Sequence, residues 1–224
     1  MEGDAAHHLG HVLRAQTGQL YELSDGERVW LGRIESVTRD RVQFSLLEEL
    51  PAAHPSVNVT LLLAIVKFDA FEWALEKATE LGVSTVVPLA AERSEKALLA
   101  AAAKRSDRWK KILLEASQQS RRVSLPVLDG LAKPKIAFAS YKEGLRVVLS
   151  ERSTAAPLRR ALQGQRAAAS AILAIGPEGG WTEAEFASAC NAGFSEASLG
   201  RRILRAETAV VTALASLNFA LGDD

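Results

Sequence analysis

Two patterns of apolar residues follow one another along the chain, and together they predict two domains. Over residues 19–47, apolar and polar residues alternate in the runs QLYEL, RVWLGRIESV and RVQFSLL, which predicts three antiparallel strands. Asp25 and Gly26 separate the first two runs and tolerate the positive φ angles of a tight hairpin turn. Because Pro51 and Pro55 disfavour helix in the residues before them, a small β domain over residues 1–52 is expected to end here.

Beyond residue 57, apolar strands alternate with amphipathic helices. VTLLLAIV is a continuous apolar run, typical of a strand covered on both faces, and a helix from Phe68 to Leu81 follows, closed by Gly82. Further strands are predicted at STVVPLA, VVLS, AILAIG and FSEASL, and further helices over about residues 97–120, 157–163, 183–193 and 206–221. This alternation predicts an α/β domain over residues 57–224, with a mostly parallel sheet and helices on both faces.

Composition narrows the class of protein. The chain has 224 residues, of which 48% are hydrophobic and 24% charged, which excludes a disordered or collagenous protein. The longest apolar run is far shorter than the ~20 residues of a membrane helix, and residues 1–10 lack the features of a secretory signal. A single cysteine, Cys190, excludes an internal disulfide. We therefore expect a cytoplasmic protein without a membrane partner.

The most informative segment is ILAIGPEGGWT, residues 172–182, which joins an apolar strand to a helix through a glycine-rich turn. Gly176, Gly179 and Gly180 predict a loop whose backbone contacts a ligand, because ligands bind at the carboxyl ends of parallel strands. The spacing fits neither the dinucleotide fingerprint nor the phosphate loop. The alternative is that the glycines only permit a tight turn. Glu178, taken alone, is more typical of a solvated carboxylate near a helix start.

A second strand end with a glycine occurs in LGRRILRAETA, residues 199–209. Arg201, Arg202 and Arg205 repel one another unless an anion compensates them, and their planar guanidinium groups suit phosphate. Solvated surface charge is the alternative. Two glycine-bearing strand ends in one half of the chain predict a common pocket.

Basic residues are concentrated in the middle of the chain, although the net charge of the whole is zero. Residues 93–122 carry nine basic and three acidic residues, whereas residues 1–56 carry five basic and nine acidic residues. A basic stretch of this size predicts a nucleic-acid partner, with the solvent face of an amphipathic helix as the alternative.

Other candidate residues favour structural roles. No Cys or carboxylate spacing turns the histidines at positions 7, 8 and 11 into a recognisable metal site, so we predict no metal. Cys190 is expected to be a small buried residue, and Trp181 to line a pocket. Three tryptophans are expected in the core: Trp30, Trp73 and Trp109.

Six segments of the chain together resemble the RsmE family, the small-subunit ribosomal RNA uridine N3-methyltransferases of the knotted SPOUT class. The resemblance spans nearly the whole chain and keeps order and spacing. One departure is Arg121, where the family commonly has Gly. The matching segments are HHLGHVLR, KATELGV, ERS, EASQQSRR, IGPEGGWTEAEF and LGRRILRAETA.

The resemblance implies a C-terminal SPOUT domain, with a trefoil knot and a mostly parallel sheet, and a small N-terminal PUA-like β-barrel that binds RNA. Members of the family usually begin with a further strand before the HHL motif, so we expect either that the start codon is placed too late or that the first barrel strand is missing. The resemblance also implies a homodimer, 16S ribosomal RNA or the small ribosomal subunit as partner, and S-adenosylmethionine as cofactor. The implied cofactor-binding residues are Leu149, Ile175, Gly176, Pro177, Glu178, Gly179, Gly180, Leu199, Gly200, Ile203, Leu204 and Ala209. The implied RNA-binding residues are Arg14, Arg93, Ser94, Gln119 and Arg122.

The implied reaction is methyl transfer to N3 of a uridine. When N3 loses its proton, negative charge spreads onto O2 and O4, and Arg202 or Arg205 is expected to stabilise that charge. Glu207 and Glu178 are the candidates for the general base, or they cap helix amides. Two alternatives remain open: a SPOUT methyltransferase acting on another base or on ribose, and an RNA-binding module without catalysis.

Overall fold

Two compact units divide the chain, Met1–His54 and Pro55–Asp224. The computed structural model describes residues 1–52, 55–165 and 168–222. Within these residues, no helix is long and apolar enough to cross a membrane.

The N-terminal unit is built on a three-stranded antiparallel sheet in the order β1-β2-β3, which confirms the predicted meander. Gly26 has φ +99°, and the Asp25 carboxylate accepts hydrogen bonds from the backbone N–H groups of Glu27 and Arg28 at 3.0 and 2.8 Å. These bonds favour the ionised carboxylate and lower the pKa of Asp25. A helix and a π-helical turn that the pattern did not predict precede the sheet. The elements are α1 (Gly3–His7), the π-turn (His8–Val12), β1 (Leu20–Ser24), β2 (Val29–Val37) and β3 (Val42–Leu50).

The C-terminal unit contains a seven-stranded sheet in the order β6-β5-β4-β9-β7-β10-β8, and each observed pairing is parallel. This confirms the predicted α/β class with a parallel sheet. The strands are β4 (Asn58–Ala64), β5 (Val83–Leu89), β6 (Val127–Leu128), β7 (Leu145–Leu149), β8 (Ala156–Pro157), β9 (Ser170–Ile175) and β10 (Ser195–Ser198).

Helices pack on both faces of this sheet. Along β4, Leu61 and Leu63 belong to one buried apolar cluster, whereas Leu62 and Ala64 belong to another, so this strand is covered on both faces as its apolar run predicts. The helices are α2 (Phe68–Glu80), α3 (Lys96–Ala102), α4 (Ser106–Gln119), α5 (Pro134–Ser140), α6 (Leu158–Leu162), α7 (Glu183–Asn191) and α8 (Ala206–Leu221).

The prediction of one long helix over residues 97–120 is wrong. A turn of 3₁₀-helix at Ala103–Arg105 separates α3 from α4. The turn lies beside Glu72 of α2, which is only 8% exposed. The Glu72 carboxylate accepts hydrogen bonds from Arg105 at 3.1 Å and from Arg108 at 2.7 Å. The break therefore coincides with a tertiary ion-pair cluster, which helical periodicity along the chain does not report.

Two expectations about single side chains are also wrong. Cys190 is exposed, because its neighbour Ala189 takes the fully buried position on α7 and consecutive helical residues point about 100° apart. Trp73 is 44% exposed on α2, where Ala74 and Leu75 face the core. Trp109 is buried as predicted, whereas Trp30 on β2 is only partly buried.

Arg121 adopts a left-handed backbone conformation at the end of α4, with φ +54°. The Arg122 N–H donates to the Ser117 carbonyl at 2.9 Å, and the Arg121 N–H donates to the Gln118 carbonyl at 3.3 Å. This pair of bonds is a Schellman motif, whose left-handed residue is usually Gly because a Cβ is strained there. The geometry explains why Gly is the common residue at this position in the resembling family.

We predict that Arg121→Gly raises the free energy of unfolding by about 0.5 to 1 kcal/mol, because relief of left-handed strain exceeds the added entropy of the unfolded chain. Urea denaturation measures the change. Lys110→Gly inside α4 is the matched control and should lower stability by about 1 kcal/mol. A loss of stability in Arg121→Gly would contradict the argument from strain.

Candidate functional site

A cavity of about 410 Å³ lies at the carboxyl ends of strands β7, β9 and β10. Its walls come mainly from the residues that follow these strands, namely 149–152, 175–181 and 199–204. Because parallel strands end at the same edge of a sheet, segments far apart in sequence meet here. Both glycine-bearing strand ends line this one cavity, which is the arrangement that their positions predict.

Each of the twelve residues expected to bind a cofactor lines the cavity. The expected pocket role of Trp181 is also confirmed. Sequence reasoning missed five lining residues that lie after β7 or on α7. The position of the first three after a strand end was a signal for them, whereas the side of α7 that faces the cavity depends on tertiary packing. The five are Ser150, Glu151, Arg152, Glu183 and Phe186.

The glycine turn, residues 176–180, needs its glycines for close approach as well as for backbone conformation. A Cβ on Gly176 would lie 3.1 to 3.3 Å from three atoms of the Trp181 indole. Gly180 has φ +68°, and its N–H donates to the Pro177 carbonyl at 2.8 Å. The two interpretations of these glycines therefore hold together: they close a tight turn and they line a cavity.

Trp181 connects two walls of the cavity. Its indole Nε1–H donates to the Leu149 carbonyl at 3.0 Å, so the loop after β9 is tied to the end of β7. Its ring also makes an edge-to-face contact with Phe138, with ring centroids 5.7 Å apart.

The start of α7 is the predicted capping box. The Glu185 N–H donates to Thr182 Oγ1 at 3.3 Å, and Glu185 Oε2 accepts from the Thr182 N–H at 3.0 Å. The other carboxylate oxygen, Glu185 Oε1, accepts from the backbone N–H of Glu92 at 2.8 Å. Glu185 therefore holds the helix start and a loop 93 positions away at the same time.

The cavity wall contains charges of both signs, with three glutamates and four arginines. Arg152 pairs with Glu183 at 3.7 Å and lies 4.6 Å from the centroid of the Phe186 ring. Arg201 and Arg202 are exposed, and their side chains make no ion pair or hydrogen bond with other described residues. These two guanidinium groups are thus free to meet a ligand.

The candidate catalytic residues separate into two groups. Arg202 and Glu178 line the cavity. Arg205 precedes α8 and Glu207 lies in its first turn, and both lie outside the cavity lining. The geometry therefore favours Arg202 over Arg205 and Glu178 over Glu207 for contact with a ligand.

Two of the expected RNA-binding residues use their side chains inside the fold. Ser94 is 6% exposed, and its hydroxyl donates to the Ile65 carbonyl at 2.7 Å. Arg122 Nη1 donates to the carbonyls of Thr79 and Val83 at 2.8 and 2.7 Å. Burial of this guanidinium lowers its pKa. Both contacts give these side chains a structural role.

The other three expected RNA contacts are exposed and belong to different elements. Arg14 belongs to the N-terminal unit and has φ +51°, and Gln119 ends α4. Arg93 lines the cavity, and its Nη1 donates to the Gly179 carbonyl at 2.7 Å. In the basic stretch, Arg105 and Arg108 form ion pairs with Glu72. The exposed lysines of the stretch are Lys96, Lys104, Lys110 and Lys111.

Among residues 1–52, 55–165 and 168–222, no group of three or more His, Cys, Asp and Glu side chains is placed to hold a metal ion.

Comparison with known families and structures gives consistent matches over both units. Residues 53–218 match the RNA methyltransferase domain, and residues 2–47 match the RNA methyltransferase PUA domain. The ribosomal RNA small subunit methyltransferase E of Synechocystis is 36% identical over 222 residues, covering 95% of this chain and 70% of that protein. The Bacillus subtilis protein of the same name is 32% identical, covering 97% of this chain and 88% of that protein.

The crystal structure of the Neisseria gonorrhoeae ribosomal RNA small subunit methyltransferase E, bound to S-adenosylmethionine, superimposes with a TM-score of 0.90. It is 30% identical in sequence, and the match covers 100% of this chain and 92% of that one.

We predict that Trp181→Phe lowers the free energy of unfolding by about 1 kcal/mol, because the Leu149 carbonyl loses its donor while the ring contact with Phe138 is kept. Trp73→Phe, at an exposed position of α2, is the control and should change stability by less than about 0.5 kcal/mol. Chemical denaturation of both variants makes the comparison. Equal small losses in the two variants would show that the indole hydrogen bond contributes nothing.

Proposed function

The chain belongs to the ribosomal RNA small subunit methyltransferase E family, and on this basis we propose that it methylates N3 of a specific uridine in 16S ribosomal RNA. The methyl donor is S-adenosylmethionine. One observation carries the proposal: the twelve residues assigned to the cofactor by family resemblance line one cavity at the carboxyl edge of the parallel sheet.

The cavity fits a ligand of this kind. Its volume of about 410 Å³ lies in the usual range of small-molecule sites, roughly 300 to 1,000 Å³. Leu149, Ile175 and Leu204 offer an apolar wall for a nucleoside, and the glycine turn offers backbone polar groups. Carboxylates and guanidinium groups are both present for a ligand that carries positive and negative charges. When bound, S-adenosylmethionine supplies an electrophilic methyl group.

Two side chains of the cavity are assigned to the uridine, one to its developing negative charge and one to its N3 proton. We assign Arg202 to stabilise the negative charge on O2 or O4, since its guanidinium lines the cavity and no described residue neutralises it. We assign Glu178 to accept the N3 proton, because it is the candidate carboxylate that lines the same cavity. The target uridine is expected to be unpaired or flipped, since N3 takes part in Watson–Crick pairing.

Ribosomal RNA or the small subunit is the proposed partner, and its phosphates would meet the exposed cations near the cavity, in the turn between α3 and α4, and on α4. Arg201 and Arg202 are exposed at the cavity, and Lys104, Lys110 and Lys111 are exposed along the basic stretch. Such contacts contribute sequence-independent affinity, while the pocket selects the base. A cytoplasmic location follows from this partner.

We also propose a homodimer and a trefoil knot, as in the SPOUT class. The dimer is supported by Phe219 on α8, a large apolar side chain that is 95% exposed and that an interface would cover. The knot is supported by strand order, because β9 lies between β4 and β7 although both precede it in the chain.

Methylation of isolated small ribosomal subunits tests the function. Subunits from a strain without the gene are incubated with the purified protein and S-adenosylmethionine, and the nucleosides are analysed by mass spectrometry. We expect N3-methyluridine at a single position. Methylation of another base or of ribose 2′-OH would contradict the assigned chemistry. RNA binding without any methyl transfer would contradict an enzymatic function.

In the same assay, Arg202→Ala should lower kcat by roughly 100-fold, the usual effect of removing a donor that stabilises developing negative charge. Its affinity for S-adenosylmethionine, measured by calorimetry, should stay within about threefold of the unmodified protein. Arg205→Ala is the matched control, since Arg205 lies outside the cavity lining, and it should retain most of the activity. Equal losses of rate and cofactor affinity in Arg202→Ala would exclude the assigned role.

A further inference from the structure

We propose that Arg93 is a positioning residue that holds the glycine turn, residues 176–180, in its cofactor-binding conformation. The reference to a cofactor rests on the proposed function, whereas the contact itself belongs to the fold. This role differs from the RNA contact that family resemblance implies for Arg93.

Arg93 meets the turn through both its charged end and its aliphatic stem. Its Nη1–H donates to the Gly179 carbonyl at 2.7 Å, a short charge-assisted hydrogen bond. A Cβ on Gly179 would lie 3.3 Å from the Arg93 Cβ and 3.4 Å from its Cδ. The Arg93 stem therefore packs directly against Gly179, where a Cβ would force it to shift by a few tenths of an ångström.

The loop that carries Arg93 is itself fixed on both sides. The N–H of Glu92 donates to Glu185 Oε1 at the start of α7, at 2.8 Å. The hydroxyl of Ser94 is buried and donates to the carbonyl of Ile65, which follows β4 in the sheet, at 2.7 Å. Arg93 thus projects from an anchored backbone, and its bond to Gly179 transfers that rigidity to the turn.

The turn needs such support, because glycine loses more conformational freedom on ordering than any other residue. Within the turn, the described backbone bond is the one from the Gly180 N–H to the Pro177 carbonyl, at 2.8 Å. Without an external contact, the free energy needed to order the turn would reduce the affinity for the ligand. A side chain that orders the turn beforehand reduces this cost and raises affinity.

Amide hydrogen exchange on the cofactor-free protein tests the contact directly. In Arg93→Ala, the Gly180 amide, which is hydrogen-bonded within the turn, should exchange about tenfold faster, because the loss of a charge-assisted hydrogen bond favours local opening. Arg93→Lys keeps a cationic donor and should restore part of the protection. Arg160→Ala, at an exposed position on α6, is the matched control and should exchange like the unmodified protein. Unchanged exchange in Arg93→Ala would overturn the proposal.

Binding measurements distinguish positioning from RNA contact. Arg93→Ala should raise the Kd and KM for S-adenosylmethionine about tenfold, keep most of kcat at saturation, and bind RNA with unchanged salt dependence. Arg93→Lys should recover part of the cofactor affinity. Normal cofactor affinity with weakened, less salt-dependent RNA binding would overturn the proposal in favour of a phosphate contact. Failure of the unmodified protein to bind the cofactor would instead contradict the proposed function, and the exchange result would still stand.

Discussion

The close approach of two side chains to glycines of the turn, residues 176–180, is the constraint on which the cavity depends. Gly176 leaves room for the Trp181 indole, and Gly179 leaves room for the stem of Arg93. Through these contacts, the turn is tied to the end of β7 by one hydrogen bond and to the loop after β5 by another. A Cβ at either glycine would force its partner to shift by a few tenths of an ångström.

The parallel sheet brings the three wall segments of the cavity, which are distant in sequence, to one edge. β9 pairs with β4 on one side and with β7 on the other, and β10 continues beyond β7. The residues after β7, β9 and β10 consequently face one another although about 50 positions separate the first segment from the last. Burial of β4, β7 and β9 under helices on both faces gives these strand ends a rigid base.

Local patterns in the sequence were sufficient to predict most elements and the glycine turn. The run VTLLLAIV, the cap at Gly82 and the Thr182–Glu185 capping box each depend on residues close in sequence, so the structure reproduces them. Tertiary contacts account for what the patterns could not predict. The break before α4 lies at Glu72, more than 30 residues away, and periodicity along the helix has no access to that carboxylate.

Charged and polar residues were the hardest to assign, because their roles depend on distant backbone partners. Arg122 binds carbonyls 39 and 43 positions away, and Arg93 binds one 86 positions away. In sequence, both belong to the same basic stretch as the exposed Lys110 and Lys111. The cofactor-lining residues were assigned by family resemblance, and the parallel topology supplies the physical reason that they meet.

The central claim is that the three strand ends form the S-adenosylmethionine site, and hydrogen exchange with and without the cofactor tests it most directly. The account predicts new protection in residues 149–152, 175–181 and 199–204, with little change in the N-terminal unit. Protection confined to other segments, or no protection at saturating cofactor, would contradict it.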